Sequence, residues 1–434
     1  MMHTRRVLGV AAATATVVGG LLLPMEAAVA ATCAFNDDAT TKISSLTDDC
    51  TLDSTLNLDD GWTLDGNNHT ITAAGTVNGA VIESAHGTAG NAPPSMTVGH
   101  VTIDATGAGG GTDGILFDGA QGRVTDVTVQ GGQDGVEADN SAGADFATTG
   151  AQVKVGRSTI RGYQHAGVYA HGDLKLNVLG AVIGEPGGGG GASVAGVWME
   201  EGAHGGVKDS RIKLSDAQPA SPTTFGAGVR IEKDDSLTLP RRVEVKRNVF
   251  TGTNADFGIS VTNEFPTKKI TADTNCNLFR RNDTSNDDPY GVGVAQWQDT
   301  PKTNVLVSNS TFKGNWNRDT GTVSGTTVTA GPDNTLARST STCPPGAPRH
   351  VRANGGDHKI KVTWRRAIAP EYAPLTGYRV KAKAKGLHAV TKKVGPKATS
   401  AVLKGLKNNR RWVVTVTARS NGGKASATDR TRTG

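Results

Sequence analysis
The sequence predicts an all-β protein in two parts, a solenoid of stacked short strands followed by a small antiparallel sandwich. Three observations carry this reading. A glycine-led apolar signature recurs through the middle of the chain at a nearly fixed period of about thirty residues. Glycine supplies 57 of the 434 residues and aromatics only 5 %, against a usual glycine share of roughly 7 %, and no long run has helical period. Past residue 348 the charge balance inverts and the strand pattern changes with it.

The first thirty residues predict an export signal. Arg5 and Arg6 form the charged start, Val7 to Leu23 the apolar middle, and Ala28-Val29-Ala30 a small-residue cleavage site. The expected mature chain begins at Ala31, is secreted or cell-wall associated, and has no transmembrane segment, because this is the one apolar run long enough to consider. Export permits disulfides. Four cysteines allow three pairings, and the expected pairs are Cys33 with Cys50 and Cys276 with Cys343. CxxC-type spacings are absent, so zinc is not expected.

Residues 31–338 carry the repeat. Its signature reads Gly114-Ile115-Leu116-Phe117, Gly135-Val136-Glu137-Ala138, Gly167-Val168-Tyr169-Ala170 and Gly196-Val197-Trp198-Met199, then continues from Gly228, Gly258 and Gly291. Successive glycines lie 21, 32, 29, 32, 30 and 33 residues apart. A second alternating strand follows in each period, as in Val124 to Val129, Val153 to Ile160, Val243 to Phe250 and Val305 to Phe312. Its polar residues, such as Asn248 and Asn309-Ser310, suit bends between short strands. A unit that alternates with period two and repeats at fixed length buries its inner face only by stacking on its neighbours. The period is too short for four-stranded propeller blades, and no leucine ladder is present. With TLDGNNHTITA at Thr63 to Ala73 as a first coil, the chain resembles the right-handed parallel β-helix of the pectate lyase superfamily. That resemblance specifies fold more than activity.

Ser339 to Pro348 is rich in Ser, Thr and Pro and reads as a linker. Residues 349–434 then show alternating strands at Lys359 to Trp364, Gly377 to Ala382 and Trp412 to Ala418. Pro345, Pro348, Trp364, Tyr378, Leu406 and the WVVTVTARSNGG run resemble a fibronectin type III domain. Trp412 stands where that family usually has the tyrosine of its corner. Charge separates the two parts. Residues 1–348 carry 25 Lys and Arg against 37 Asp and Glu, a balance of −12, whereas residues 349–434 carry 21 against 3, a balance of +18. Lys381, Lys383, Lys385, Lys392, Lys393, Arg410 and Arg411 suit anionic cell-wall polymers held by counterion release. No base-reading motif accompanies them, so no specific nucleic acid is expected.

Neighbouring residues of a strand face opposite ways, so the outward set of the repeat is Leu116 and Asp118, Glu137 and Asp139, Tyr169 and His171, Trp198 and Glu200, Arg230 and Glu232, then Ser260 and Thr262. Strands stacked about 4.8 Å apart would place Asp139, His171, Glu200 and Glu232 in one ladder. Glu137, Tyr169, Trp198 and Arg230 would form the next. Acid, base and aromatic groups in two adjoining rows suit a polysaccharide. The candidate catalytic residues are Asp139, His171, Glu200 and Arg230, with Tyr169, Trp198, Glu137 and Glu232 binding substrate. For elimination, His171 or Tyr169 would take a proton while Arg230, or Ca²⁺ on Asp118, Glu137 and Asp139, stabilises the developing charge. For hydrolysis, carboxylates one coil apart sit near the roughly 5 Å of retaining enzymes and those two coils apart near the roughly 6.5 to 9.5 Å of inverting ones.

A second resemblance is to the polygalacturonases. Thr112-Asp113-Gly114 resembles their NTDG, Gln133-Asp134 their paired aspartates, His165 their GHG, and Arg230-Ile231-Glu232-Lys233 their RIK. It implies catalytic roles for Asp113 and Asp134, although Gln133 replaces one aspartate and Ala166 intrudes after His165. Turn formation is the alternative role for both aspartates. For the whole chain, the expectation is a secreted lyase or hydrolase of polysaccharide. The alternatives are a non-catalytic glycan-binding protein and a structural cell-surface protein.

Overall fold
The structure, a computed structural model, describes residues 33–140, 150–187, 194–214, 226–233, 241–252, 257–263, 270–275, 277–280, 292–297, 303–308, 311–313, 318–323, 344–369 and 374–434. Every regular element among them is a strand. Cys33 and Cys50 are joined as a disulfide. The export signal, Cys276 and Cys343 lie outside the described residues.

From Ile43 the chain winds as a parallel β-helix, each coil giving one strand to each of three sheets of 10, 11 and 10 described strands. Only the first pair, Phe35–Asp38 with Ile43–Leu46, runs antiparallel there. The glycine-led strands stack in the first sheet as Asp113–Asp118, Asp134–Asn140, Ala166–Gly172, Val194–Met199 and Gly226–Lys233. Their inward residues Ile115, Phe117, Val136, Val168, Val197 and Val229 have zero exposure, each such burial contributing about 1.5–3 kcal/mol. The recurrent glycine has a steric cause. A Cβ on Gly167 would lie 2.6 Å from Ile183 Cγ2 and 2.7 Å from the Gly196 carbonyl oxygen, so the coils close only without one.

What reads in the sequence as one second strand per coil is two, split by a corner. Gln121–Thr125 belongs to the second sheet and Thr128–Gly131 to the third, and Ala151–Gly156 with Thr159–Arg161 repeats the division. The corner residues Asp126, Arg157, Asp209 and Arg247 have φ between 54° and 58°. This left-handed turn breaks the alternation without glycine, because each corner is fixed by its neighbour: Asp126 N–H donates to Gly156 O at 3.2 Å and Asp209 N–H to Lys246 O at 3.1 Å. Asn248, expected at a bend, follows such a corner. Its side chain accepts from Ser210 N–H at 2.9 Å and donates to Val207 O at 2.8 Å, while Asn277 does the same service one coil on. Asn309 and Ser310 lie outside the described residues.

The C-terminal part is an antiparallel sandwich of a three-stranded and a four-stranded sheet. Trp364, Tyr378 and Trp412 are buried in its core. Tyr378 Oη accepts the Ala367 N–H at 3.0 Å; Trp412 Nε1, at the position without the corner tyrosine, is buried with no hydrogen-bond partner among the described residues. The first sandwich strand, Arg349–Gly356, meets the solenoid corners, where Arg349 Nη1 donates to Gly180 O at 3.1 Å and Asp209 O at 3.4 Å.

Candidate functional site
The outward face of the first sheet has the predicted register. Leu116, Glu137, Tyr169, Trp198, Arg230 and Ser260 are successive partners, and beside them Asp118 pairs with Asp139 and Asp139 with His171. Glu200 leaves the ladder. Its strand ends at Met199, its N–H donates to Ala170 O, and its carboxylate accepts the Tyr169 hydroxyl at 2.8 Å. His171 turns the other way, Nε2 lying 3.2 Å from Asp139 and 3.4 Å from Glu137, with Glu201 3.9 Å from Nδ1. Glu201 was not legible as a participant, because its place depends on where the strand stops.

The two aromatics are not the open sugar platforms expected of them. Trp198 is only 8 % exposed, with the Arg230 guanidinium 3.8 Å over its ring and His165 at 4.5 Å. Tyr169 stacks on His171 at 4.9 Å and meets the His165 ring edge at 5.0 Å. Arg230 also pairs with Glu232. Side chains one coil apart are simply close enough to cover one another's faces. The result is a packed aromatic and charged cluster in which Arg230 and Glu232 are themselves largely covered and Asp139 and Glu201 are more exposed.

Beneath it lie the residues of the second resemblance. Asp113 and Asp134 are 6 % and 2 % exposed. Asp113 accepts the Asp134 N–H at 3.0 Å, and Asp134 accepts the Ala166 N–H at 2.7 Å while its Oδ1 lies 2.9 Å from His165 Nδ1. Both therefore tie one coil to the next, as turn residues would. They also converge: Asp113, Asp134 and Glu137 bring ligand atoms within 4.8 Å of one another. Burial, the hydrogen bond with Glu137 and the neighbouring carboxylate charges push the Asp113 pKa up to about 10, so this carboxyl stays protonated at neutral pH. Burial also raises Asp134, against the opposing effect of His165. Burial works against the imidazolium of His171, but Asp139 and Glu137 outweigh it and push its pKa up to about 10. Burial and the Glu200 charge move the Tyr169 hydroxyl upward, away from ionisation.

The residues chosen for Ca²⁺ do not assemble. Asp118 pairs with His86 from the preceding coil, while Glu137 and Asp139 converge on His171. Among the described residues, the groups close enough to share an ion are Glu137–Asp139–His171 and Asp113–Asp134–Glu137. Neither fits Ca²⁺, which takes six to eight oxygens. The first offers two carboxylates beside an imidazole, and each group supplies three side chains in all.

In the sandwich, Lys381, Lys383, Lys385 and His388 border a cleft of about 760 Å³. Lys392 and Lys393 lie on the adjacent strand Val390–Val394.

Residues 346–433 match the family model of the fibronectin type III domain, and this part of the chain is such a domain. Among solved structures, the chain is similar to chicken CNTN1 FN1-FN3 domains at 23 % identity, over 21 % of this chain and 33 % of that one, with a TM-score of 0.19. It is also similar to a structure described as "Myokine structure" at 20 % identity, over 20 % of this chain and 97 % of that one, with a TM-score of 0.18. No curated protein matches the chain.

Proposed function
We propose that the protein is a secreted polysaccharide hydrolase of the pectate lyase-like type, with the fibronectin type III domain holding it to anionic wall polymers. The observation that carries this is the Asp113–Glu137 pair, a buried carboxyl that keeps its proton against a partly buried carboxylate on the first-sheet face. Such a pair shares one acidic proton and delivers it through Glu137, the outer member. Glu200 stands two coils further on, about 9.6 Å along the axis by strand spacing and displaced along the strand from the Glu137 ladder, so the separation exceeds the roughly 5 Å of a direct nucleophile and leaves room for an attacking water. Glu200 would then act as base, oriented by the Tyr169 hydroxyl. Arg230 would meet an acidic sugar. Elimination is the weaker reading, because His171 and Tyr169, its candidate bases, both hold their protons at neutral pH.

One observation favours a binding role without turnover: Asp113 and Asp134 already serve backbone amides. A single experiment separates the readings. Mature protein is incubated with pectic, alginate, glycosaminoglycan and neutral glycans, and reducing ends and the absorbance of unsaturated ends are followed separately. Hydrolysis gives reducing ends alone, cut by at least 100-fold in Glu137→Gln and Glu200→Gln, with an inverted anomeric product by NMR. New absorbance would mean elimination, and no product across the panel would leave binding as the function.

A further inference from the structure
The second sheet carries a feature at odds with the acidic character of the solenoid. Its outward residues on Gln121–Thr125, Ala151–Gly156, Leu174–Leu179 and His204–Lys208 include Arg123, Lys154, Lys175 and Lys208 and no carboxylate. These cations border a cleft of about 560 Å³, which the corner residue Arg157 closes at one side. Lys208 pairs with Glu244 and Arg157 with Asp126. Arg123, Lys154 and Lys175 are exposed and make no ion pair among the described residues.

We infer that this cleft binds a strand of acidic polysaccharide lying along the solenoid axis, at a site separate from the first-sheet cluster. Arg123 and Lys154 are register partners, and Lys175 stands opposite Gln152, two residues from Asn177, the partner of Lys154. Cations therefore recur with each coil, about 4.8 Å along the axis and about 7 Å across it. An extended polymer with regularly spaced carboxylates or sulfates meets such an array without bending. Gln152, Asn177 and Thr125 between the cations offer donors and acceptors for sugar hydroxyls. A single-stranded nucleic acid fits less well, since no aromatic side chain borders the cleft and such strands are held largely by base stacking on aromatics. The choice of a glycan draws on the proposed function; the array itself does not.

The test reads binding rather than turnover. The full chain is acetylated briefly at about 0.15 M salt, where only charges within about 8 Å interact strongly. Labelling is done with and without oligogalacturonate, heparin or oligo(dT), and each lysine is read by mass spectrometry. Oligogalacturonate or heparin should slow labelling of Lys154 and Lys175 at least fivefold, and the ratio of the two shows what sulfates add to carboxylates. In Lys154→Glu, which alters an exposed side chain, protection of Lys175 should fall below twofold while that of Lys381, Lys383 and Lys385 in the other domain persists. Glu200→Gln should keep full protection, which separates this site from the proposed catalytic one. Undiminished labelling of Lys154 and Lys175 with both glycans overturns the inference, as does protection by oligo(dT) equal to theirs.

Discussion
At the scale of single residues, His171 is the group whose state most constrains the chemistry of the site. Two carboxylates hold its Nε2 from the preceding coil, and the folded pKa of about 10 lies above the ordinary histidine value of about 6.5. A raised pKa means that the folded state binds the proton more tightly, so this stabilisation is fully present below about pH 6.5 and is lost as pH rises through about 10. The His171 Hε1 NMR resonance should therefore titrate near pH 10, and Asp139→Asn should lower that midpoint by at least one unit. Thermal unfolding of the wild type should lose its advantage over His171→Gln across the same window. A midpoint near 6.5 in the wild type would refute the assignment. The strand period made His171, Glu137 and Asp139 legible as neighbours, because alternation fixes a face. It left the pairing open, since His171 was expected between Asp139 and Glu200, whereas the structure sets Asp139 and Glu137 at Nε2 and Glu201, not Glu200, near Nδ1.

At the scale of the element, the repeat rests on close approach as much as on apolar burial. Gly167 lies at the start of a first-sheet strand, where a Cβ would meet Ile183 Cγ2 at 2.6 Å, the Gly196 carbonyl at 2.7 Å and Tyr163 Cε1 at 3.1 Å. The Gly196 carbonyl belongs to the next coil, so an added methyl must separate the stack. Gly167→Ala should cost about 1–3 kcal/mol, the usual range for overpacking. Denaturant unfolding measures the loss, and hydrogen exchange should quicken first in Ala166–Gly172 and Val194–Met199, because a solenoid weakens locally. Equal stability and equal exchange would show that the coils tolerate the methyl. This glycine, with its apolar followers, was the clearest signal in the sequence. The corners were less legible. Asp126, Arg157 and Asp209 adopt a left-handed conformation held by the coil above, and the sequence pattern does not announce it.

At the scale of the whole molecule, the charge inversion near residue 348 marked two domains, but not that they touch. The contact gathers on the corner ladder. Arg349 donates to Gly180 and Asp209 carbonyls, and His350 Nε2 lies 4.0 Å from Asp126, which also pairs with Arg157. Burial, then Arg365 and Arg157, lower the His350 pKa to about 4, with Asp126 opposing and Arg349 adding to the effect. Asp126 itself, although burial opposes it, is kept below the usual carboxylate range by Arg157, His350 and His100. A depressed histidine pKa means that the docked state disfavours the proton, so its contribution to docking is present above about pH 6.5 and is lost as pH falls through about 4. Small-angle scattering should give a constant radius of gyration from pH 8 to 5 and an increase near pH 4, with circular dichroism unchanged to show that the domains stay folded. Arg349→Ala should produce the expanded form already at neutral pH, since its two carbonyl partners come from consecutive solenoid corners and no other side chain of the first sandwich strand donates to either. A radius unaffected by both acid and Arg349→Ala would mean that the corner ladder does not hold the domains together.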